Sequence, residues 1–221
     1  ELLSGTRGSE KNPGEVRSSQ NWIGPAGCGL RNAAYIPPNV DDMHDALGEL
    51  DKFINSYIAI DPIVKASLVH YQFETVHPFL DGNGRLGRLL ITLSLMNDGA
   101  LSAAIFYPSY QLKLRRREYY ERLMAVRENG EYAQCFFCDC LLASAVDAIG
   151  SLERLVDLRT KNTNLINGGL GRSASNGQRF LELLEGNPIV DVSFVAEKLD
   201  IARTTAGNLV KDFVGLGILV Q

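Results

Sequence analysis

The chain has 221 residues, 45% hydrophobic and 22% charged, which excludes disordered, collagen-like and low-complexity classes. With 22 basic against 26 acidic residues its net charge is −4, which argues against a protein devoted to gripping nucleic-acid backbone. The apolar run from Leu89 to Met96 is broken by Thr92 and Ser94, so no segment is expected to cross a bilayer, for which ~20 apolar residues are needed. The opening Glu1-Leu-Leu-Ser-Gly-Thr-Arg has no signal-peptide pattern, and four cysteines make no disulfide framework; the expected compartment is the cytoplasm.

Residues 11–40 are rich in Gly, Pro, Asn and Ser. Within them Trp22–Ile23 and Ala34–Ile36 read as two short strands around a Gly-rich turn, a hairpin over about 21–36. From Val40 the pattern turns helical. Asp41 is placed to cap a helix whose apolar positions Met43, Ala46, Leu47, Leu50, Phe53 and Ile54 follow the 3, 4, 7 spacing. Further helices are expected from Asp61-Pro62 to Thr75, Gly84 to Asn97, Tyr110 to Glu128, and Tyr132 to Leu158. The Asn-, Gly- and Ser-rich stretch 160–178 reads as a linker between a first domain, 1–159, and a second, 179–221. The second shows helices near Arg179–Glu185, Ser193–Leu199 and Thr204–Phe213, then a strand over Gly215–Gln221. That order is a helix-turn-helix with the start of a wing.

The chemistry concentrates at 77–88, His77-Pro-Phe-Leu-Asp81-Gly-Asn-Gly-Arg85-Leu-Gly-Arg88. It reads as a loop feeding a helix whose buried stripe is Leu86, Leu89, Leu90 and Leu93. Two arginines in a helix's first turn sit at its positive end, where acids are favoured. An anion there accounts for them, cradled by the backbone N–H groups of Gly82, Asn83 and Gly84 and by both guanidinium groups. Asp81 beside a polyphosphate is a natural Mg²⁺ ligand, and His77 accepts a proton near neutral pH. The missing Lys-Ser/Thr pair separates this from the Walker loop.

This segment resembles the Fic motif, His-x-Phe-x-(Asp/Glu)-Gly-Asn-Gly-Arg-x-x-Arg, without departure. Pro13-Gly-Glu-Val-Arg-Ser-Ser-Gln-Asn-Trp-Ile-Gly, Tyr35-Ile-Pro-Pro, His70-Tyr-Gln-Phe-Glu-Thr-Val and Arg116-Arg-Glu-Tyr-Tyr-Glu-Arg-Leu are similar to a bacterial Fic subgroup with a C-terminal winged helix. The resemblance implies a mainly α fold: a Fic helical core, a small β-hairpin flap and a winged helix-turn-helix. It implies protein adenylylation, with AMP passing from ATP to a Ser, Thr or Tyr hydroxyl and pyrophosphate leaving. His77 would be the base and Asp81 the Mg²⁺ ligand, and the run Gly82, Asn83, Gly84, Arg85, Leu86, Gly87 and Arg88 would hold the phosphates. Arg85 would meet the β-phosphate and Arg88 the γ-phosphate, while Phe79 would anchor the loop. Gln72 and Arg115 lie in the region of the adenine pocket, and Arg115 departs from the Asn common in the subgroup. The flap would dock the target protein by strand addition. Self-modification and a homo-oligomer are further expected partners, with no membrane. The alternatives are de-AMPylation or transfer of another phosphate-containing group at the same site, or DNA-binding regulation through the winged helix. An inhibitory helix carrying (Ser/Thr)-x-x-x-Glu-(Gly/Asn) is also implied. Glu128-Asn129 and Glu185-Gly186 lack the Ser/Thr, and Glu10 is followed by Lys11, so that helix is expected upstream of Glu1 or, as the second choice, on a partner.

Other candidates read blandly. Cys135, Cys138 and Cys140 lack a fourth ligand nearby and read as small hydrophobes rather than a zinc site. His44 reads as solvated, His70 as a packed, hydrogen-bonded core histidine, and Tyr119 and Tyr120 as packing residues. Residues 172–221 carry five basic and six acidic side chains. The presumed recognition helix offers Arg203, Thr204, Thr205, Asn208 and Lys211, so a regulatory or protein-contact module is favoured over a DNA reader.

Overall fold

The structure is a computed structural model describing residues 14–130 and 134–220. The expected helix start at Tyr132 and the strand end at Gln221 lie outside these, as do Pro13 and the residues before it. The described residues form nine α-helices, two short 3-10 turns and no strand. The chain divides into two units at Ala148/Ile149.

In the first unit, α1 (Val40–Asn55) is capped by Asn39, not Asp41: Asn39 Oδ1 accepts from Asp42 N at 2.9 Å. Its six expected apolar positions are all buried or half-buried, and His44 is exposed. Helix α2 (Pro62–Val76) starts as its sequence dictates. Pro62 fixes the first turn and Asp61 accepts from Ile63 N. Nine of its fifteen residues are buried, the signature of a helix surrounded by protein. It packs along α3 (Asn83–Asn97). The expected leucine stripe of α3 is half right. Leu86 and Leu90 pack with Leu50, Val69 and Phe73, but Leu89 and Leu93 are 41% and 47% exposed. Gly87, Ile91, Ser94 and Leu95 are buried instead. Close helix–helix approach selects small residues, which a hydrophobicity count passes over.

The expected fourth helix is two: α4 (Pro108–Leu114) and α5 (Arg116–Asn129), parted at Arg115. Helix α6 (Gln134–Gly169) buries Phe136, Phe137, Cys140 and Leu141 with Tyr71, Tyr119 and Leu123. It is also, among the described residues, the one helix long and apolar enough by length and composition to cross a bilayer. The run from Leu89 to Met96 was therefore the wrong place to test that expectation.

The β-hairpin flap does not form. Ile23 and Tyr35 exchange N–H···O bonds of 2.9 and 3.1 Å in a single antiparallel bridge. The next hydrogen-bonded pairs on either side would use Pro25 and Pro37, which have no N–H to give. The ladder stops after one rung, and Gln20 Nε2 donates to Pro37 O at 2.9 Å in its place.

The second unit is helical throughout. The expected linker over 160–178 is taken up by the end of α6, a 3-10 turn at Gly171–Ser173 and the start of α7 (Ala174–Gly186). Its Asn/Gly/Ser composition suggested a loop, but Ile166 is fully buried among Phe180, Leu181, Leu184 and Phe213. Helices α8 (Val192–Leu199) and α9 (Arg203–Gly215) follow, joined through Asp200 at φ 54°. The expected wing strand is absent from the described residues. After Gly217 turns at φ 70°, Ile218 N and Leu219 N both donate to Phe213 O, at 2.9 and 3.2 Å. A strand needs a partner, and among the described residues the segment pairs with none.

Candidate active site

The site is built where α2 ends and α3 begins. His77 caps α2 in the left-handed region (φ 49°, ψ 59°), its N–H still bonded to Phe73 O. This conformation is rare outside Gly and Asn, and the surroundings hold it. Arg17 Nε and Asn21 Nδ2 both donate to His77 O, at 3.1 and 3.2 Å, and Asn21 also reaches Phe79 O at 3.0 Å. The Arg17 guanidinium, 1% exposed, also donates to Ser19 O and Pro38 O. Phe79 turns inward against Phe73, as expected of an anchor.

Asn83 closes the loop. Its side chain accepts from Phe79 N at 2.9 Å and donates to Phe79 O at 2.6 Å. Gly82 precedes α3 at φ 88°, a conformation open to glycine at little cost, and no side chain caps the helix. The first-turn N–H groups of such a helix have no intrahelical acceptor and favour an anion. Gly82 N–H itself is committed to Asp81 Oδ1 at 2.6 Å, so the cradle is left to Asn83 and Gly84. Asp81 Oδ1 also lies 3.5 Å from Arg85. Arg85 and Arg88 line a cavity of about 690 Å³ with Lys113, Arg116, Tyr119 and Tyr120. Its size suits a small-molecule ligand.

Burial pulls the His77 imidazole down to about 4. The Glu74 carbonyl at 3.4 Å and Asp81 push upward, while Arg127 and Arg17 add to the fall. At neutral pH the ring is uncharged and able to accept a proton. His70 is fully buried, with Nδ1 2.8 Å from Gly87 O and Nε2 3.0 Å from Tyr119 Oη, the packed histidine expected. Burial holds it near 4 as well. Both histidines thus bind protons more tightly unfolded than folded. Stability should be lost as pH falls from about 6.5 towards 4, read as a decreasing Tm. Glu74 works oppositely between its ordinary value and about 7, which leaves the histidine pair to set the direction.

Residues 1–95 match the Fic/DOC family. Over 117 residues it is 32% identical to protein adenylyltransferase Fic of Aedes aegypti, covering 52% of this chain and 20% of that protein. Over 159 residues it is 27% identical to protein adenylyltransferase fic-1 of Caenorhabditis elegans, covering 71% and 27%. The chain thus spans a fifth to about a quarter of the length of these curated relatives. In fold it is similar to a Fic family protein from Desulfovibrio desulfuricans G20, with TM-score 0.56 and 23% identity over 95% of this chain and 58% of that one.

In this chain the motif residues His77, Asp81, Gly82, Asn83, Gly84, Arg85, Leu86, Gly87 and Arg88 lie on one loop and the first two turns of α3. Of the expected site residues, Arg85 and Arg88 line the cavity, and His77, Asp81, Asn83, Gly84, Gln72 and Arg115 do not. Gln72 is exposed, and Arg115 lies over the Phe136 ring at 4.6 Å and pairs with Glu118 at 2.9 Å. Residue pattern alone missed Arg127, Tyr35, Arg17 and Asn21. Arg127 donates to Glu74 O at 2.9 Å and Thr75 Oγ1 at 3.2 Å and stacks 3.9 Å from the Tyr35 ring. Tyr35 Oη donates to Thr75 O at 3.0 Å. Together they brace the last turn of α2, just before the motif. Nothing in an isolated Arg or Tyr signals such long-range contacts.

Gly87 is a mid-helix glycine that propensity would replace with alanine for a gain of about 1 kcal/mol. Here a Cβ would collide with Glu74 Oε1 and lie 3.2 Å from Phe73 Cδ1. Overpacking costs about 1–3 kcal/mol, so Gly87→Ala should unfold at a lower denaturant midpoint than the parent.

Proposed function

We propose that this site transfers AMP from ATP to a Ser, Thr or Tyr hydroxyl of a protein, releasing pyrophosphate. The observation that carries the reading is the neutral imidazole of His77 placed one pinned loop away from the glycine-turned start of α3, whose two arginines face a cavity of nucleotide size. In this reading His77 Nε2 takes the hydroxyl proton as the oxygen attacks the α-phosphorus. The N–H groups opening α3 hold the phosphate oxygens, and Arg85 and Arg88 neutralise the pyrophosphate that leaves. Asp81 fits a Mg²⁺ site made of one carboxylate and phosphate oxygens, with 21% of its side chain exposed beside the cradle. Bound there, Mg²⁺ would supply charge neutralisation between adjacent phosphates. The similarity to two named adenylyltransferases supports the reaction class.

For the second unit we favour protein contact or regulation over DNA binding. Arg203, Thr204, Thr205, Asn208 and Lys211 are exposed on α9, but residues 172–221 carry more acids than bases. The deciding experiment for the site uses ATP labelled at the α- or the γ-phosphate, with Mg²⁺ and a panel of candidate proteins including the chain itself. Label carried to protein from the α position alone supports adenylylation. Transfer from the γ position alone would make the site a kinase and overturn the reading.

A further inference from the structure

Glu74 has no role in the reaction above, yet it lies at the centre of the site. It sits one turn before His77 and is 5% exposed, with Oε2 4.0 Å from His77 Nδ1. Its other oxygen, Oε1, is buried and has no hydrogen-bond partner among the described residues. Leaving a buried polar atom unsatisfied costs about 1–3 kcal/mol, so the fold holds a carboxyl group here against its own stability. Oε1 faces the glycines of α3: a Cβ on Gly87 would collide with it, and one on Gly84 would lie 3.8 Å away. The absence of side chains at 84 and 87 makes the room that this carboxyl group fills.

We propose that Glu74 is a positioning residue for His77: its main-chain carbonyl, 3.4 Å from Nδ1, holds the ring proton there and leaves Nε2 as the accepting atom, while its carboxyl group, wedged between the imidazole and the glycine face of α3, sets the charge beside the ring. The identity of the proton's source rests on the adenylyl-transfer reading; the Glu74–His77 coupling does not. The titratable and charged groups around Glu74 are His77 on its own helix, Arg88 from α3, and Arg127 and Tyr119 from α5. His70, one turn earlier, is committed to Gly87 O and Tyr119 Oη.

Burial pushes Glu74 up to about 7 against the pull of Arg88 and Arg127, and burial holds His77 near 4. Between about pH 4 and 7, then, both are neutral and the contact is no ion pair. Above it the carboxylate forms, and an opposite charge about 4 Å away favours the imidazolium. In the reaction the hydroxyl O–H bond breaks and Nε2–H forms. Glu74 takes no proton; its charge offsets the one that appears on the ring. A base weakened by burial is thereby strengthened as it is needed.

The test is an NMR titration of the full chain labelled with ¹⁵N/¹³C-histidine, with the His77 signals assigned by their loss in His77→Ala. In the wild type, His77 should carry its proton on Nδ1, and its ring shifts should show a step near pH 7. Glu74→Gln keeps the shape and removes the charge. The step should vanish, and the rise in transfer rate between about pH 6 and 8 should flatten, with a roughly tenfold or greater loss at the upper end. Glu74→Asp should restore part of the step. A wild-type ring protonated on Nε2, or a step that survives in Glu74→Gln, overturns the proposal. The wild-type tautomer and step decide it even where Glu74→Gln does not fold. They are read without substrate, so a chain showing both but transferring no AMP would refute the adenylylation reading and leave this one standing.

Discussion

His77→Ala is expected to lower AMP transfer by roughly 10²–10⁴-fold, the usual worth of a positioned general base, while ATP still binds. The two effects separate because His77 lies at the end of α2, whereas the cradle and both arginines belong to α3. The neutral ring also fixes the pH response: protonation near pH 4 removes the acceptor, so activity should vanish on the acid side and not return. Transfer rates and nucleotide affinity measured on the same preparation check this. Wild-type rates in the variant would remove His77 from the mechanism.

The second large effect is expected at Asn83, through geometry and not through contact with the reacting atoms. Its side chain, in a residue 2% exposed, satisfies both the N–H and the C=O of Phe79. Asn83→Ala would orphan the Phe79 N–H, while Phe79 O keeps the Asn21 amide, at a cost of about 1–3 kcal/mol, and would free the loop that spaces His77 from α3. A displacement of about 1 Å costs roughly 10² in rate, so transfer should fall about that much alongside a lower Tm. Asn83→Asp, which keeps the acceptor for Phe79 N–H and loses the donor to Phe79 O, should fall between. If Asn83→Ala loses stability but keeps its rate, the loop is not what sets the spacing.

The contrast between the two residues shows where sequence reading succeeds here. His77, Asp81, Arg85 and Arg88 stand out in the sequence because their types and spacing suit an anion. Arginines at a helix N-terminus have no stability argument in their favour. Asn83 was legible as a member of the run but not in its role, because hydrogen bonding back to Phe79 depends on how the loop folds.

Local rules fixed the helix starts at Pro62 and the burial of His70, and they failed where a partner decided the outcome. Each strand segment in 21–36 had the right residue types, yet pairing depends on register. In the register the chain adopts, Pro25 and Pro37 fall on the positions that must donate. The segment expected as a strand over 215–221 pairs with no strand among the described residues, and Ile218 and Leu219 donate instead to Phe213 O. Residues 160–169 looked like a linker by composition and are helical, with Ile166 buried.

What the sequence determined by itself was a mainly helical protein with the run 77–88 at a loop and a helix start, because helix periodicity and charge placement are local properties. What only the tertiary structure decided was the support of that site: Arg17 and Asn21 on the His77 carbonyl, Arg127 under the last turn of α2, and Glu74 against Gly87. These contacts join residues up to 60 positions apart. They depend on packing distances of a few ångströms, which no spacing along the chain encodes.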